Sequence, residues 1–126
     1  MPRDPIPEEL RRFIHTSVPS VPFVEALLIF REAAGPVSID QVARRLYMAD
    51  KNAAEIVAQL RDARIIEADP AGGGNRFAPA PELAAMIETL AKYYRTQLVD
   101  VTDIIHSKTG RMAQQFADAF KLRKDS

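Results

Sequence analysis

From Ser20 to Leu60 the apolar positions recur at helical spacing in three runs. The first holds Phe23, Val24, Leu27, Leu28 and Phe30, which nearly surround the helix, the pattern of a buried element. Ser20 predicts its N-cap, with Pro22 tolerated in the first turn, and Gly35-Pro36 stops it after about Ala34. The second run is Ile39, Val42, Ala43 and Leu46, read as one inner face ending near Tyr47. It opens on the clearest start signal in the chain. Ser38 and Gln41 form an S-x-x-Q capping box, and Val37 and Val42 are placed as a hydrophobic staple. Ala53, Ile56, Val57 and Leu60 make the third stripe, with Asp50 expected to cap it.

Beyond Leu60 the period changes. "RIIEA", residues 64–68, is short and β-branched and predicts a strand; "DPAGGGN" is a loop; "RFAPA" returns as a second strand ended by prolines. The pair reads as a hairpin with a flexible, glycine-rich tip. Upstream, residues 1–19 hold four prolines around "PEELRRFIHTS", where Leu10, Phe13 and Ile14 predict a short helix packed as an arm. Downstream, Pro81 to about His106 reads as one helix on the order of 39 Å long at ~1.5 Å per residue. Its apolar row is Leu83, Ile87, Leu90, Tyr94, Leu98, Val101 and Ile105, with Met86, Tyr93 and Ile104 beside it. Spacings of 4, 3 and 4 residues repeat every eleven, close to a straight helix. A last amphipathic helix, "GRMAQQFADAFKLRK", carries Met112, Phe116, Ala119 and Phe120 on one face.

The fold class expected is therefore mainly α with a small β-hairpin. Three parts follow: an N-terminal arm with a short helix (1–19), a helical and hairpin core (20–80), and the long and C-terminal helices (81–126). At that length Leu98, Val101, Ile104 and Ile105 would project past the core, and with Phe116 and Phe120 they predict the interface of a two-fold homodimer.

Composition narrows the class. A chain of 126 residues with 47% hydrophobic content can bury a core. It has no cysteine, so neither disulfides nor thiolate metal sites are available. The N-terminal "MPRDPIPEELRR" lacks the apolar core of a signal peptide, and "VPFVEALLIF" is too short to span a bilayer and holds Glu25; no membrane insertion and a cytoplasmic location are expected. Basic and acidic residues number 17 each, so no general attraction to nucleic acid follows. The distribution is uneven: residues 107–126 carry five bases and two acids, residues 80–106 two bases and four acids.

Helix, helix, turn, helix and hairpin, with Ile39, Val42, Ala43, Leu46, Ile56, Leu60, Ile65 and Ile66 at the packing positions, resembles the winged helix-turn-helix family. The stretch from Ser20 to Ala80 is similar to the version in MarR-type and related bacterial regulators. The resemblance implies a winged helix-turn-helix core, double-stranded DNA as partner, and a dimeric transcription regulator. It places Lys51, Asn52, Glu55 and Gln59 toward base edges. Arg44 and Arg45 would hold phosphates, and Asn75 and Arg76 at the wing would reach a minor groove or the backbone. One departure stands out. From Asp50 to Asp62 the second helix sets Lys51 and Arg61 against Asp50, Glu55 and Asp62, a net charge of minus one. That balance favours the alternative, a winged-helix module that binds another protein and little or no DNA.

Catalytic motifs are not met. His15 and His106 are far apart in sequence without metal-ligand spacing, and "AGGGN" lies between two strands rather than before a helix. Asp100 and Asp103 share a helical face but suggest no further ligand. The expectation is a binding protein, not an enzyme, with no cofactor or metal.

Overall fold

The computed structural model describes residues 5–107; the predicted helix around Phe116 and Phe120 lies outside them. The chain is mainly helical with one small antiparallel sheet. In order come α1 (Glu8–Ser17), α2 (Val21–Glu32), α3 (Ile39–Leu46), α4 (Asp50–Asp62), β1 (Ile66–Ala68), β2 (Asn75–Phe77) and α5 (Pro81–Thr96). Residues 98–107 form a further helix, α6.

Local chemistry sets most of these boundaries. The Ser20 hydroxyl accepts a hydrogen bond from the Phe23 N–H at 3.3 Å and starts α2. Six α2 side chains are buried (Phe23, Val24, Ala26, Leu27, Ile29 and Phe30), so this helix forms the centre of the core. At α3 both halves of the capping box are made. Gln41 N–H donates to Ser38 Oγ at 3.1 Å, and Ser38 N–H donates to Gln41 Oε1 at 2.8 Å. In α4 the predicted stripe of Ala53, Ile56, Val57 and Leu60 is buried throughout.

Two corrections apply to this helix pair. Ile39 is not on the inner face: at the first position of α3 it is 37% exposed, whereas Val42 and Ala43 are buried and Leu46 packs half-buried against the core. Nor does Asp50 cap α4. The Ala49 carbonyl accepts the first helical bond, from Ala53 N–H at 3.1 Å, so Ala49 is the N-cap and Asp50 lies in the first turn. There its charge still faces the positive end of the helix dipole.

Both α3 and α4 close through a residue with positive φ that is not glycine. Tyr47 (φ 54°) ends α3, with Met48 N–H reaching back to Ala43 O at 3.0 Å. Arg64 (φ 63°) ends α4, with Ile65 N–H bonded to Leu60 O at 3.0 Å and Arg64 N–H to Arg61 O at 2.9 Å. These backward bonds satisfy terminal carbonyls that would otherwise lack donors. Arg64 thus belongs to the helix closure, and the first strand begins two residues later than its composition suggests.

The hairpin pairs Ile66 with Phe77, Glu67 with Arg76 and Ala68 with Asn75. A bridge extends it sideways: Val37 and Asn75 exchange both backbone hydrogen bonds, at 2.8 and 2.9 Å. That bridge ties the segment before α3 to the outer strand. Gly74 makes the approach feasible. Its φ is 126°, and a Cβ there would lie 2.2 Å from the Val37 carbonyl oxygen. The loop between the strands is a defined turn, with Asp69 Oδ2 accepting from Ala71 N–H and Asp69 N–H bonded to Gly74 O.

The largest departure from expectation is in the long helix. It breaks at Gln97 (φ −137°, ψ 56°), separating α5 from α6. Val101, Ile104 and Ile105 then join the same buried cluster as Leu10, Leu27 and Ile87. Val101 is 0% and Ile105 1% exposed. The break explains the difference. A continuous helix would carry these residues past the core, whereas a change of direction returns their apolar face to it. Within the folded chain they are not available to a second copy. Leu98 remains at the surface, 48% exposed, beside exposed Val99.

One buried cluster therefore spans the arm, the central helices, β1, α5 and α6. Leu10 and Ile14 are fully buried where α1 packs on α5, so the arm is part of the core.

Candidate nucleic-acid interface

Helix α4 is held from behind and presents polar side chains in front. Its buried stripe faces α2 and α3, and Lys51, Asn52, Glu55 and Gln59 are exposed on the opposite side. Lys51, Asn52 and Glu55 occupy its first two turns. Gln59 sits further along, in a shallow depression with Thr16, Pro19, Phe23 and Asp62. The end of α1 therefore borders that part of the face, and the N-terminal half is the open part.

The cations around α4 fall into two groups. Arg45, Lys51 and, in the last turn of α4, Arg61 are exposed and form no ion pair among the described residues. Arg44 and Arg76 are engaged. The Arg44 guanidinium clasps Asp40 one helical turn earlier, with Nε to Oδ2 at 2.9 Å. That hydrogen bond, and then the nearby negative charge, raises the Arg44 pKa further above its ordinary value. Arg76 donates to Glu67 directly opposite on the hairpin, through Nε at 3.0 Å and a terminal nitrogen at 2.6 Å. Both pairs are exposed, the class of ion pair that contributes little to folding and is screened by salt. A competing phosphate can displace such a carboxylate.

Asn75 lies in the hairpin, but its side chain is buried. It is 7% exposed, held in β2 by the bridge to Val37, and its Oδ1 has no hydrogen-bond partner among the described residues. Its side chain is buried at the loop end of the hairpin, beside the bridge to Val37, and is not presented to solvent. The resemblance places it at the wing with Arg76, reaching a minor groove or the backbone. The isolated bridge that buries it is a contact between residues 38 positions apart and leaves no local signal.

One residue at this surface has no counterpart among the sequence candidates. Tyr47, between α3 and α4, is 95% exposed. An aromatic residue immediately after the Leu46 stripe reads as the end of that stripe, and only its positive φ turns it outward.

A second concavity, about 690 Å³, lies between α2 and α5 and is lined by Glu25, Leu28, Arg31, Glu88, Tyr94 and Leu98. Arg31 grips Glu88 through both Nε and Nη2, which holds the Glu88 carboxyl below its ordinary range. Tyr94 donates to Glu25 Oε1 at 3.3 Å. Burial, and then the adjacent Glu25 charge and hydrogen bond, push the Tyr94 phenol up to about 12. These contacts fasten α5 to α2. Among the described residues no three histidine or carboxylate groups come together as metal ligands, and no single helix is long and apolar enough to cross a membrane.

No protein-family model, curated protein or solved structure matches the chain.

Proposed function

We propose that this chain is a winged helix-turn-helix transcription regulator that binds double-stranded DNA through α4. The observation that carries the reading is the open first half of α4. Lys51, Asn52 and Glu55 project from a helix whose other side is locked by four buried residues. A seated helix presenting side chains of these types suits the major groove, where Asn pairs with adenine, Lys with guanine, and Glu accepts from the cytosine amino group. The strand bridge at Val37 and the hairpin beside α4 supply the wing. Arg45 adds a phosphate contact.

Affinity in this arrangement is modest. With Arg45 and Lys51 as the free cations beside the open half of α4, the log–log slope of affinity against salt is about −2 per protomer, at roughly −0.9 for each neutralised phosphate. Fluorescence anisotropy of labelled genomic duplexes at low salt tests the reading. Binding with a shallow salt slope is expected, and Asn52→Ala should blur sequence preference by about 1–3 kcal/mol at one position. A regulator of this type acts as a pair of copies on a palindrome. Since Val101, Ile104 and Ile105 are internal, such a pairing would have to use other surface, with Leu98 and Val99 the exposed apolar residues of α6.

The second reading is a winged-helix module that docks on another protein. It is favoured by the neutralisation of Arg44 and Arg76 and by the zero net charge of the chain. Absence of any binding to genomic duplexes at low salt would select it.

A further inference from the structure

We infer that Tyr47 is a phosphate anchor, positioning α4 on the DNA through a hydrogen bond from its phenolic hydroxyl to the backbone. The inference rests on the DNA-binding reading above and adds to it a residue that neither composition nor spacing suggested.

Three observations converge on Tyr47. Its backbone is left-handed, at φ 54° and ψ 49°, a conformation that glycine or asparagine adopts far more readily. Its side chain is 95% exposed and makes no hydrogen bond or ring contact among the described residues, so folding gains nothing visible from it. It occupies the junction of α3 and α4, flanked in sequence by the free cations Arg45 and Lys51. A costly conformation carrying a large, unused side chain points to a role outside the fold.

Its place in the fold identifies the contact. When the N-terminal half of a recognition helix enters the major groove, the turn leading into that helix, where Tyr47 stands three residues before Asp50, lies at the groove's edge, where the phosphates run. The nearby charges are Arg44, Arg45 and Lys51 against Asp40 and Asp50, leaving one net positive charge for an anionic partner. A tyrosine hydroxyl donates one hydrogen bond and suits a phosphate oxygen.

The test compares the unmodified full chain with Tyr47→Phe, Tyr47→Asn and Tyr47→Gly, reading thermal midpoint and affinity for a labelled duplex at low salt. The Asn and Gly variants should melt at or above the unmodified temperature, because the strained position is relieved. All three should bind DNA roughly tenfold more weakly, as expected for loss of a hydrogen bond to a charged group. The loss should be equal on preferred and scrambled duplexes, as a phosphate contact requires. Unchanged affinity in all three variants overturns the inference while leaving DNA binding intact. Loss in Gly and Asn with full affinity in Phe also overturns it, since a ring contact would then replace the phosphate bond. If the unmodified chain binds no duplex, the DNA-binding reading itself fails, and the anchor falls with it.

Discussion

Replacing Ile105 by alanine removes three carbons from a side chain that is 1% exposed and packed in the central cluster. At about 0.8 kcal/mol per buried carbon, the transfer term alone is about 2.4 kcal/mol. The cavity left behind adds to this, because close-packed neighbours relax only in part, so the total falls within about 2–5 kcal/mol. With a urea m-value of about 1.5 kcal/mol per molar, the unfolding midpoint should drop by at least about 1.6 M. Urea denaturation followed by circular dichroism reads this directly, and sedimentation velocity on the same samples reads assembly. The sedimentation coefficient of the native protein should not change. Leu98→Ala is the control: at 48% exposure it should shift the midpoint little. An Ile105→Ala protein with an unshifted midpoint but a smaller sedimentation coefficient would refute the argument. It would show that Ile105 serves an interface between copies rather than the core.

Two other perturbations probe separate parts of the fold. Gly74→Ala should destabilise by at least about 1–3 kcal/mol, since it combines a disfavoured φ with a Cβ 2.2 Å from the Val37 carbonyl oxygen; loss of amide exchange protection at Val37 and Asn75 would show that the bridge has opened, and retained protection would contradict the clash. Tyr94 predicts an alkaline limb. Its folded pKa of about 12 lies above the unfolded value near 10, so below pH 10 both states hold the proton and stability is unaffected. Between about pH 10 and 12 the unfolded state loses the proton first and stability falls; Tyr94→Phe should flatten that decline in thermal melts, and an unchanged decline would count against it.

Much of the helical core is legible in the residues themselves. The Ser20 cap, the Ser38–Gln41 capping box and the α4 stripe depend on groups within four positions of one another, and the helix brings such groups together whatever surrounds it. The hairpin is similarly local, set by two short runs and three glycines. The polar face of α4 follows from its apolar face, so Lys51, Asn52 and Glu55 could be nominated without coordinates. What the sequence could not determine depended on elements arriving from elsewhere. Asn75 is buried by a bridge to Val37, and Arg76 is neutralised because strand register sets Glu67 opposite it. Tyr47 is outward because α3 closes through its positive φ, a conformation no side-chain pattern encodes. The break at Gln97 is the largest such case. Neither glycine nor proline marks it, and the apolar spacing runs through it unbroken. Burial of Val101, Ile104 and Ile105 in one common core is available only if the helix turns there, and that gain depends on the tertiary surface that receives them.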